Sequence, residues 1–461
     1  MITYQDFLAA ENRAKWIAGA ISTYMRSGAY QTALDADEYE AQRNISIRQF
    51  VKKVYDITGK AVADPTASNY RIASNFFHHL VKARVQYSLG NGVSFPSVQQ
   101  KDGTMIDMTK ETLGKDFDTR LTQMAKLAVR HGASYMFVDE DRYIVMPMTE
   151  FLPLKDEETG IIRAGIQFWS LGWRRRPINV VLFEEDGYTK YRTESGKYSL
   201  GSLQEIQPKR AYRQVVQVSE ADGEEIISQS NYGGALPIVS MYPNDSQQSA
   251  LVGLREKIDA YDMIQSGFAN NLHECAQVYW IIGNAMGMDD DSVKKLLERL
   301  IFQHVAVVDT TNSSLTPYTQ EVPYSANQAC LDMLRASMYE DFGILDVHTI
   351  SAGSTNDHIE AGYQPMDSEA DDFEYQVIET VQQILRIKGM EPVVPSFKRG
   401  KVSNQLEQTQ MVTMAAEYLD PETVLKKLSF VDVDEIPKIL EAIDALSYER
   451  FKKSDANRTV V

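Results

Sequence analysis

Residues 249–276 read SALVGLREKIDAYDMIQSGFANNLHECA. Apolar side chains recur at Leu251, Leu254, Ile258, Tyr261, Ile264, Phe268 and Leu272, the 3.6-residue period of an amphipathic helix. Just upstream lie an apolar run, LPIVSMY (236–242), and Pro243-Asn244-Asp245-Ser246, residue types that cap helix N-termini. If helical throughout, 249–276 would be about 42 Å long, well above an ordinary globular helix.

Downstream the spacing predicts strand-like VYWII (278–282), a short helix over Asp291–Leu300, and strand-like HVAVVDT (304–310). Pro323 opens a second helix with Ala326, Cys330, Met333, Ser337 and Phe342 on one stripe, stopped at Phe342-Gly343. Residues 344–358, ILDVHTISAGSTNDH, read as a polar loop. A third periodic run starts at Ile359 and passes Tyr363, Met366, Phe373, Val377, Val381 and Ile384 to a Gly389 cap. Pro365 is expected to kink or delay it. A Pro-rich break, EPVVPSF, precedes amphipathic helices near 403–419, 421–428 and 433–450.

The first half is mixed. Ile72, Phe76 and Leu80 predict a helix from Asn69 to Tyr87, ended by Leu89-Gly90-Asn91-Gly92. A second helix runs from Asp118 to Arg130 and stops at His131-Gly132. Strands are expected over 134–154, Ile161–Phe183 and Tyr188–Val218, with hairpin turns at Asp186-Gly187 and Asp222-Gly223. The pattern is α+β.

At 461 residues, 43% hydrophobic and 24% charged, the chain has the composition of a folded protein of roughly three domains. No run of about 18 apolar residues is present, so no membrane partner is expected. The opening MITYQDFLAAENRAKWI has no signal-like apolar stretch, so export is not expected. Cys275 and Cys330, the only cysteines, exclude a disulfide framework. A net charge of −17 argues against a protein that grips DNA by neutralising many phosphates.

Motifs that carry chemistry are missing. Gly114-Lys115 lacks the upstream glycine and following Ser/Thr of a phosphate loop; GxSxG, HExxH and kinase sets are absent. His78-His79 and His273-Glu274-Cys275 are helix neighbours whose side chains diverge. Asp289-Asp290-Asp291 and the acids from Asp367 to Glu374 lack calcium-loop spacing and read as solvated faces and caps. Trp173-Arg174-Arg175-Arg176 has two readings, a phosphate contact or, favoured by the acidic chain around it, an edge-strand or intersubunit salt-bridge patch. No metal, cofactor or catalytic residue is expected.

Four stretches, in order, resemble the portal proteins of tailed phages with long non-contractile tails. They are Arg71-Ile72-Ala73-Ser74-Asn75-Phe76-Phe77 running to Tyr87-Ser88-Leu89-Gly90-Asn91-Gly92, and Leu127-Ala128-Val129-Arg130-His131-Gly132-Ala133-Ser134-Tyr135. The third joins Leu236-Pro237-Ile238-Val239, Asn244, Lys257-Ile258-Asp259-Ala260-Tyr261-Asp262 and Asn270-Asn271. The fourth runs from Gln405-Leu406-Glu407 to Leu419-Asp420-Pro421-Glu422-Thr423-Val424-Leu425.

The resemblance implies a portal fold with a mixed α/β wing (1–247), stem helices (248–276 and 323–344), a small α/β clip (277–322) and a tunnel loop (345–358). A long helix (359–395) would return to the wing, and 396–461 would form a helical crown. It implies a homo-oligomeric ring of about twelve subunits at one capsid vertex of the virion, assembled in the host bacterial cytoplasm. Double-stranded DNA would pass through the channel. The implied partners are the terminase large subunit, a head–tail adaptor, and the major capsid and scaffolding proteins. By the same resemblance His348, Thr349, Ser351, Ser354, Thr355, Asn356 and His358 would face DNA, and Arg255, Lys257, Asp262, Asn270 and Arg335 would line the stem. Asp289, Asp290, Asp291, Lys294 and Lys295 would meet the clip's partners.

The acidic balance suits such a channel, because a basic wall would hold the phosphate backbone at each step. The loop carries Asp346 and Asp357 and no Lys or Arg; His348 and His358 would add charge below about pH 6.5. Two competing readings are a metal-dependent nuclease using the acids at 289–291 or 367–374, and another capsid or adaptor component with no channel.

Overall fold

The computed structural model describes the backbone of residues 2–55, 59–63, 68–96, 98–99, 105–140, 142–170, 177–194, 200–219, 223–232, 234–275, 279–283, 291, 294–295, 314–318, 324–346, 356–401, 412–414, 416, 420–427, 439–440 and 442. Helices α1 (Tyr4–Leu8), α2 (Arg13–Tyr24), α3 (Gly28–Glu40) and α4 (Ile45–Gln49) come first. Thr3 and Asp6 form a capping box on α1, and Asn12 and Ser27 cap α2 and α3 through their side chains. A small hairpin, β1 (Lys53–Tyr55) and β2 (Ala61–Ala63), precedes α5 (Phe76–Leu89). Then follow β3 (Val93–Ser94), β4 (Val98–Gln99), β5 (Met105–Ile106), α6 (Met108–Leu113) and α7 (Phe117–His131).

The strand-rich stretch contains β6 (Ser134–Val138), β7 (Tyr143–Pro147), β8 (Phe151–Lys155), β9 (Ile162–Ser170), β10 (Ile178–Glu184) and β11 (Gly187–Thr193). It continues with β12 (Leu203–Arg210), β13 (Arg213–Ser219), β14 (Gly223–Ser230) and β15 (Ile238–Met241). Beyond lie α8 (Arg255–Cys275), β16 (Tyr279–Gly283), β17 (Ser314–Tyr318), α9 (Tyr324–Asp341), α10 (Asn356–Ile387) and β18 (Ser396–Phe397). All the pairings of these strands are antiparallel, as α+β expects.

The chain divides into two compact units. The first is Met1–Lys82, Gln123–Met338 and Gln383–Glu391; the second is Ala83–Thr122, Tyr339–Gln382 and Pro392–Val461. At the centre of the first is a five-stranded sheet in the order β12-β11-β10-β9-β8. Side chains alternate across a strand, and β10 is buried on both faces. Val180 and Leu182 join Phe7, Ile17, Ile21, Leu154 and Ile166 in one core, whereas Val181 and Phe183 join Tyr135, Phe137, Met146 and Ile238 in another. The second core lies between this sheet and the three-stranded sheet β15-β6-β7. Asp186-Gly187 makes the expected hairpin turn, with Glu184 opposite Gly187. Gly187 has φ +145°, and a Cβ there would strike the Arg210 carbonyl, so glycine is required.

In the second unit β3 pairs with β18, bringing residues 93–94 beside 396–397. The buried face of α10 carries Tyr363, Met366, Ala370, Phe373, Val377 and Val381, the stripe read from the sequence. Two expectations are corrected. The helix begins at Asn356, within the predicted loop, and runs through Pro365 rather than being delayed by it. Upstream, residues 69–75 are not helical, and α5 starts only at Phe76.

Candidate functional site

Helix α8 starts where α7 ends. The last carbonyls of a helix have no partner of their own. Those of Val129 and Arg130 are taken by the Ala250 N–H (2.9 Å) and the Ser249 hydroxyl (2.5 Å). Gly132 turns the chain with φ +93°, and a Cβ on it would lie 2.8 Å from Gln247 O and Ser249 N. Only glycine lets 247–250 cross so closely. Residues 251–254 form turns, so α8 begins at Arg255 and spans 21 residues, about 32 Å rather than 42 Å.

The most buried line on α8 is polar. Asp262 is 0%, Ser266 1% and Asn270 5% exposed, at four-residue intervals on one face. Residues 70–74 run along this face in extended form, in the opposite direction. The Ser74 N–H donates to Asp262 (2.9 Å), the Ile72 N–H to Ser266 (2.9 Å) and the Tyr70 N–H to Asn270 (2.7 Å). Ser266 Oγ and Asn270 Nδ2 donate back to the Ile72 and Tyr70 carbonyls, each at 3.4 Å. Four helical residues rise about 6.0 Å and two extended residues about 6.6 Å, so alternate backbone groups meet successive turns. This ladder satisfies backbone that has no sheet partner, which explains why 69–75 stays extended.

Asp262 also accepts from Asn44 Nδ2 (2.5 Å). Burial raises its pKa above the usual carboxylate value, only partly offset by Ser74 and Asn44. One turn earlier Asp259 accepts from the Tyr39 and Ser46 hydroxyls at 2.5 and 2.6 Å. Burial, then Asp259, pushes the Tyr39 phenol up to about 12.

Helices α8 and α9 lie side by side and antiparallel. Lys257 Nζ donates to Ser337 Oγ (2.6 Å) near one end, and the Phe268 and Tyr324 rings sit 5.7 Å apart near the other. Between them the Tyr261 phenol feels Arg335 and Asp332.

The five predicted stem residues are therefore not alike. Asp262 and Asn270 are buried against 70–74. Arg255 pairs with Asp35 at 2.6 Å and lies over the Tyr39 ring, Lys257 lies against α9, and Arg335 is part-buried on α9. Ser266, the ladder's middle rung, was not singled out from sequence; its four-residue spacing from Asp262 and Asn270 was the available signal.

Four of the five acids from 367 to 374 are held by cations of their own unit. Arg399 donates to Asp367 (3.0 Å) and Glu374 (2.8 Å) and pairs with Asp371. Lys401 Nζ lies 2.6 Å from Asp367, which also accepts from the Tyr87 hydroxyl (2.6 Å). Burial would raise Asp367, but Lys401, Tyr87 and Arg399 outweigh it and the net shift is down. Arg84 joins Glu369 (2.7 Å) and the Phe342 carbonyl (2.8 Å), with its guanidinium 4.1 Å from the Phe342 ring centroid. These four carboxylates are committed to neighbouring cations, whereas Asp372 is exposed. Among the described residues no three His, Cys, Asp or Glu side chains are grouped to hold a metal ion.

His348, Thr349, Ser351, Ser354 and Thr355, the clip acids Asp289 and Asp290, strand-like 304–310 and the run Trp173–Arg176 lie outside the described residues. Asn356 and His358, expected in the loop, have helical backbone in α10. Asp291, Lys294 and Lys295 are helical and exposed. No described helix is long and apolar enough to cross a membrane.

The described residues thus centre on an antiparallel pair of long helices, one of them bound along its length by buried polar contacts. The chain belongs to the family described as phage portal protein, SPP1 Gp6-like, whose model matches residues 31–447. Portal proteins are structural components of the virions of tailed phages.

The chain is 22% identical to the portal protein of Bacillus phage SPP1 over 327 residues, 68% of this chain and 61% of that protein. It therefore spans about three fifths of that relative's length. It is also 22% identical to the portal protein of Clostridium phage phiCD119 over 445 residues, 88% of this chain and 93% of the relative. Among solved structures, a chain of the neck of a native GTA particle aligns with TM-score 0.40 and 11% identity, covering 77% of this chain and 89% of that one. A chain of the virion of a native gene transfer agent particle aligns with TM-score 0.41 and 8% identity, covering 88% and 97%. The family assignment does not rest on these two.

Proposed function

We propose that this chain forms a ring of about twelve copies at one capsid vertex, a passage for double-stranded DNA during packaging and ejection. Its match to the portal family model over 31–447 carries the reading. The terminase large subunit, and later a head–tail adaptor, would dock on 277–322, and the major capsid and scaffolding proteins would surround the wing.

The channel surface is assigned to the flank of α8 left exposed between the ladder and α9, which carries Glu256, Met263 and Asn271. This flank contains no Lys or Arg, in keeping with a wall that does not hold phosphate. It replaces Asp262 and Asn270, whose side chains are spent on residues 70–74. Segment 345–358 keeps the proposed role of narrowing the channel.

Negative-stain microscopy of the purified chain is expected to show rings with rotational symmetry and a central hole. A monomer at every concentration and in every assembly context would overturn the reading. Crosslinking between cysteines placed at 345–358 of neighbouring copies separates it from a channel-free capsid or adaptor component.

A further inference from the structure

One cation fastens three elements of the second unit. Arg84, on α5, has a side chain only 13% exposed. Its Nη2 donates both to the Phe342 carbonyl (2.8 Å), just past the end of α9, and to Glu369 Oε2 (2.7 Å) on α10. The guanidinium also lies 4.1 Å from the Phe342 ring centroid. A planar fork that bonds two oxygens while stacking on a ring is particular to arginine.

The backbone is tight at the same place. The Gly343 and Ile344 N–H groups donate to the Glu340 and Tyr339 carbonyls, both at 3.0 Å, and close the end of α9. Gly343 has φ +65°, and a Cβ on it would lie 2.6 Å from Glu369 Cγ. A Cβ on Gly362 would lie 3.3 Å from Leu345 Cδ1. The exit of α9 therefore runs against α10 at two points, Gly362 and Glu369. Between them falls Pro365, inside the helix. Proline donates no N–H, so the Ala361 carbonyl lacks its helical partner and α10 is weakened at that turn. The contacts with 342–345 span the weakened turn.

We propose that Arg84 is a positioning residue, which clasps the exit of α9 to α10 across Pro365 and so sets where the chain between them begins and ends. The chain leaves the clasp at Leu345 and returns to it at Gly362, six residues or about 9 Å into α10. Holding these two points together holds both ends of the intervening segment. The role rests on the reading of 345–358 as the part that narrows the channel.

Hydrogen exchange of the full chain reads the clasp. Arg84→Met keeps the apolar stem and removes the fork. Exchange is expected to accelerate about tenfold or more at Gly343, Ile344 and Ile359–Gln364, with Val377–Leu385 unchanged. Arg84→Lys should recover little, because an ammonium reproduces neither the fork nor the stacking. If Arg84→Met does not fold, Glu369→Gln, at a side chain 50% exposed, should still accelerate the same amides severalfold. Acceleration spread evenly over α10, or none, would overturn the proposal. So would a wild-type chain in which these amides have no protection to lose. In assembled rings carrying Ser351→Cys, crosslinking between neighbouring copies is expected to fall severalfold on Arg84→Met; a yield unchanged or raised, with rings intact, would end the positioning role and spare the portal reading. If no rings form, the portal reading fails and the exchange pattern alone decides the clasp.

Discussion

Cutting the ladder one rung at a time should release residues 70–74 in a graded way. Asn270→Ala removes the acceptor of the Tyr70 N–H (2.7 Å) and a weaker bond back to its carbonyl (3.4 Å). Tyr70 is 48% exposed, so water replaces part of what is lost, and the cost is about 1 kcal/mol. Ser266→Ala strips both contacts to Ile72 from a side chain 1% exposed, for roughly 1–2 kcal/mol. Asp262→Ala takes a buried carboxylate from the Ser74 N–H and leaves Asn44 Nδ2 with only the Ser74 carbonyl, for about 3 kcal/mol. Native-state hydrogen exchange reads these directly, since each 1.4 kcal/mol is about tenfold in the opening equilibrium. Exchange should accelerate about fivefold at Tyr70, about tenfold at Ile72 and at least a hundredfold at Ser74 in the respective variants. Arg71 and Ala73, whose amides do not face α8, should change less. Equal acceleration at all five amides, or none, would refute the idea that alternate residues are held rung by rung.

Three other outcomes are expected. Gly132→Ala combines a positive φ with a Cβ only 2.8 Å from Gln247 O and Ser249 N; a loss of roughly 3 kcal/mol should appear as a sharply lower unfolding temperature or insoluble expression. Arg399→Met leaves Glu374, with a side chain 12% exposed, without its cation; allowing for the exposure of Asp371, the cost is about 2 kcal/mol, visible as faster exchange in the middle of α10. For pH, His131 is held below its ordinary 6.5, first by burial, against the raising effect of Asp37 at 2.8 Å. The unfolded chain then takes up the proton first, so stability falls as pH drops below about 6.5. Asp37, lowered because His131 and Arg130 outweigh burial, adds a second loss only at more acidic pH. Denaturation midpoints measured from pH 8 to 2 should lose the upper phase in His131→Gln, and the lower phase, which also rests on His131, should shrink without vanishing because Arg130 remains.

Where one signal dominated, the sequence was readable. His131-Gly132 ended α7 because a left-handed cap has few alternatives, and Asp186-Gly187 placed a hairpin for the same reason. The apolar stripe of α10 was clear because an amphipathic helix packed on one side obeys its period. On α8 the period misled. Leu251, Leu254 and Ile258 are buried, but Ile264 and Phe268 are only partly so and Leu272 is 60% exposed, whereas Asp262, Ser266 and Asn270 are buried. The family resemblance placed Asp262 and Asn270 along the stem lining; a neighbouring stretch of backbone in need of partners buries them. The same fact hid the true start of α5, since Ile72 fits a helical period yet belongs to the extended strand. Such pairing joins residues about 200 apart, and no local pattern records it.

The spacing of the ladder also sets its own length. Each step gains about 6.0 Å along α8 and about 6.6 Å along the strand, so the two scales drift apart like those of a vernier. After two steps the drift is about 1.2 Å, which the three rungs absorb, their N–H bonds staying at 2.9, 2.9 and 2.7 Å. One turn before Asp262 the same line carries Ile258, which has no polar group to offer a fourth rung. Sliding by one notch would place Ile258 or Glu274 where a short polar side chain must sit. The coincidence of the two scales therefore allows a single alignment of α8 against residues 70–74.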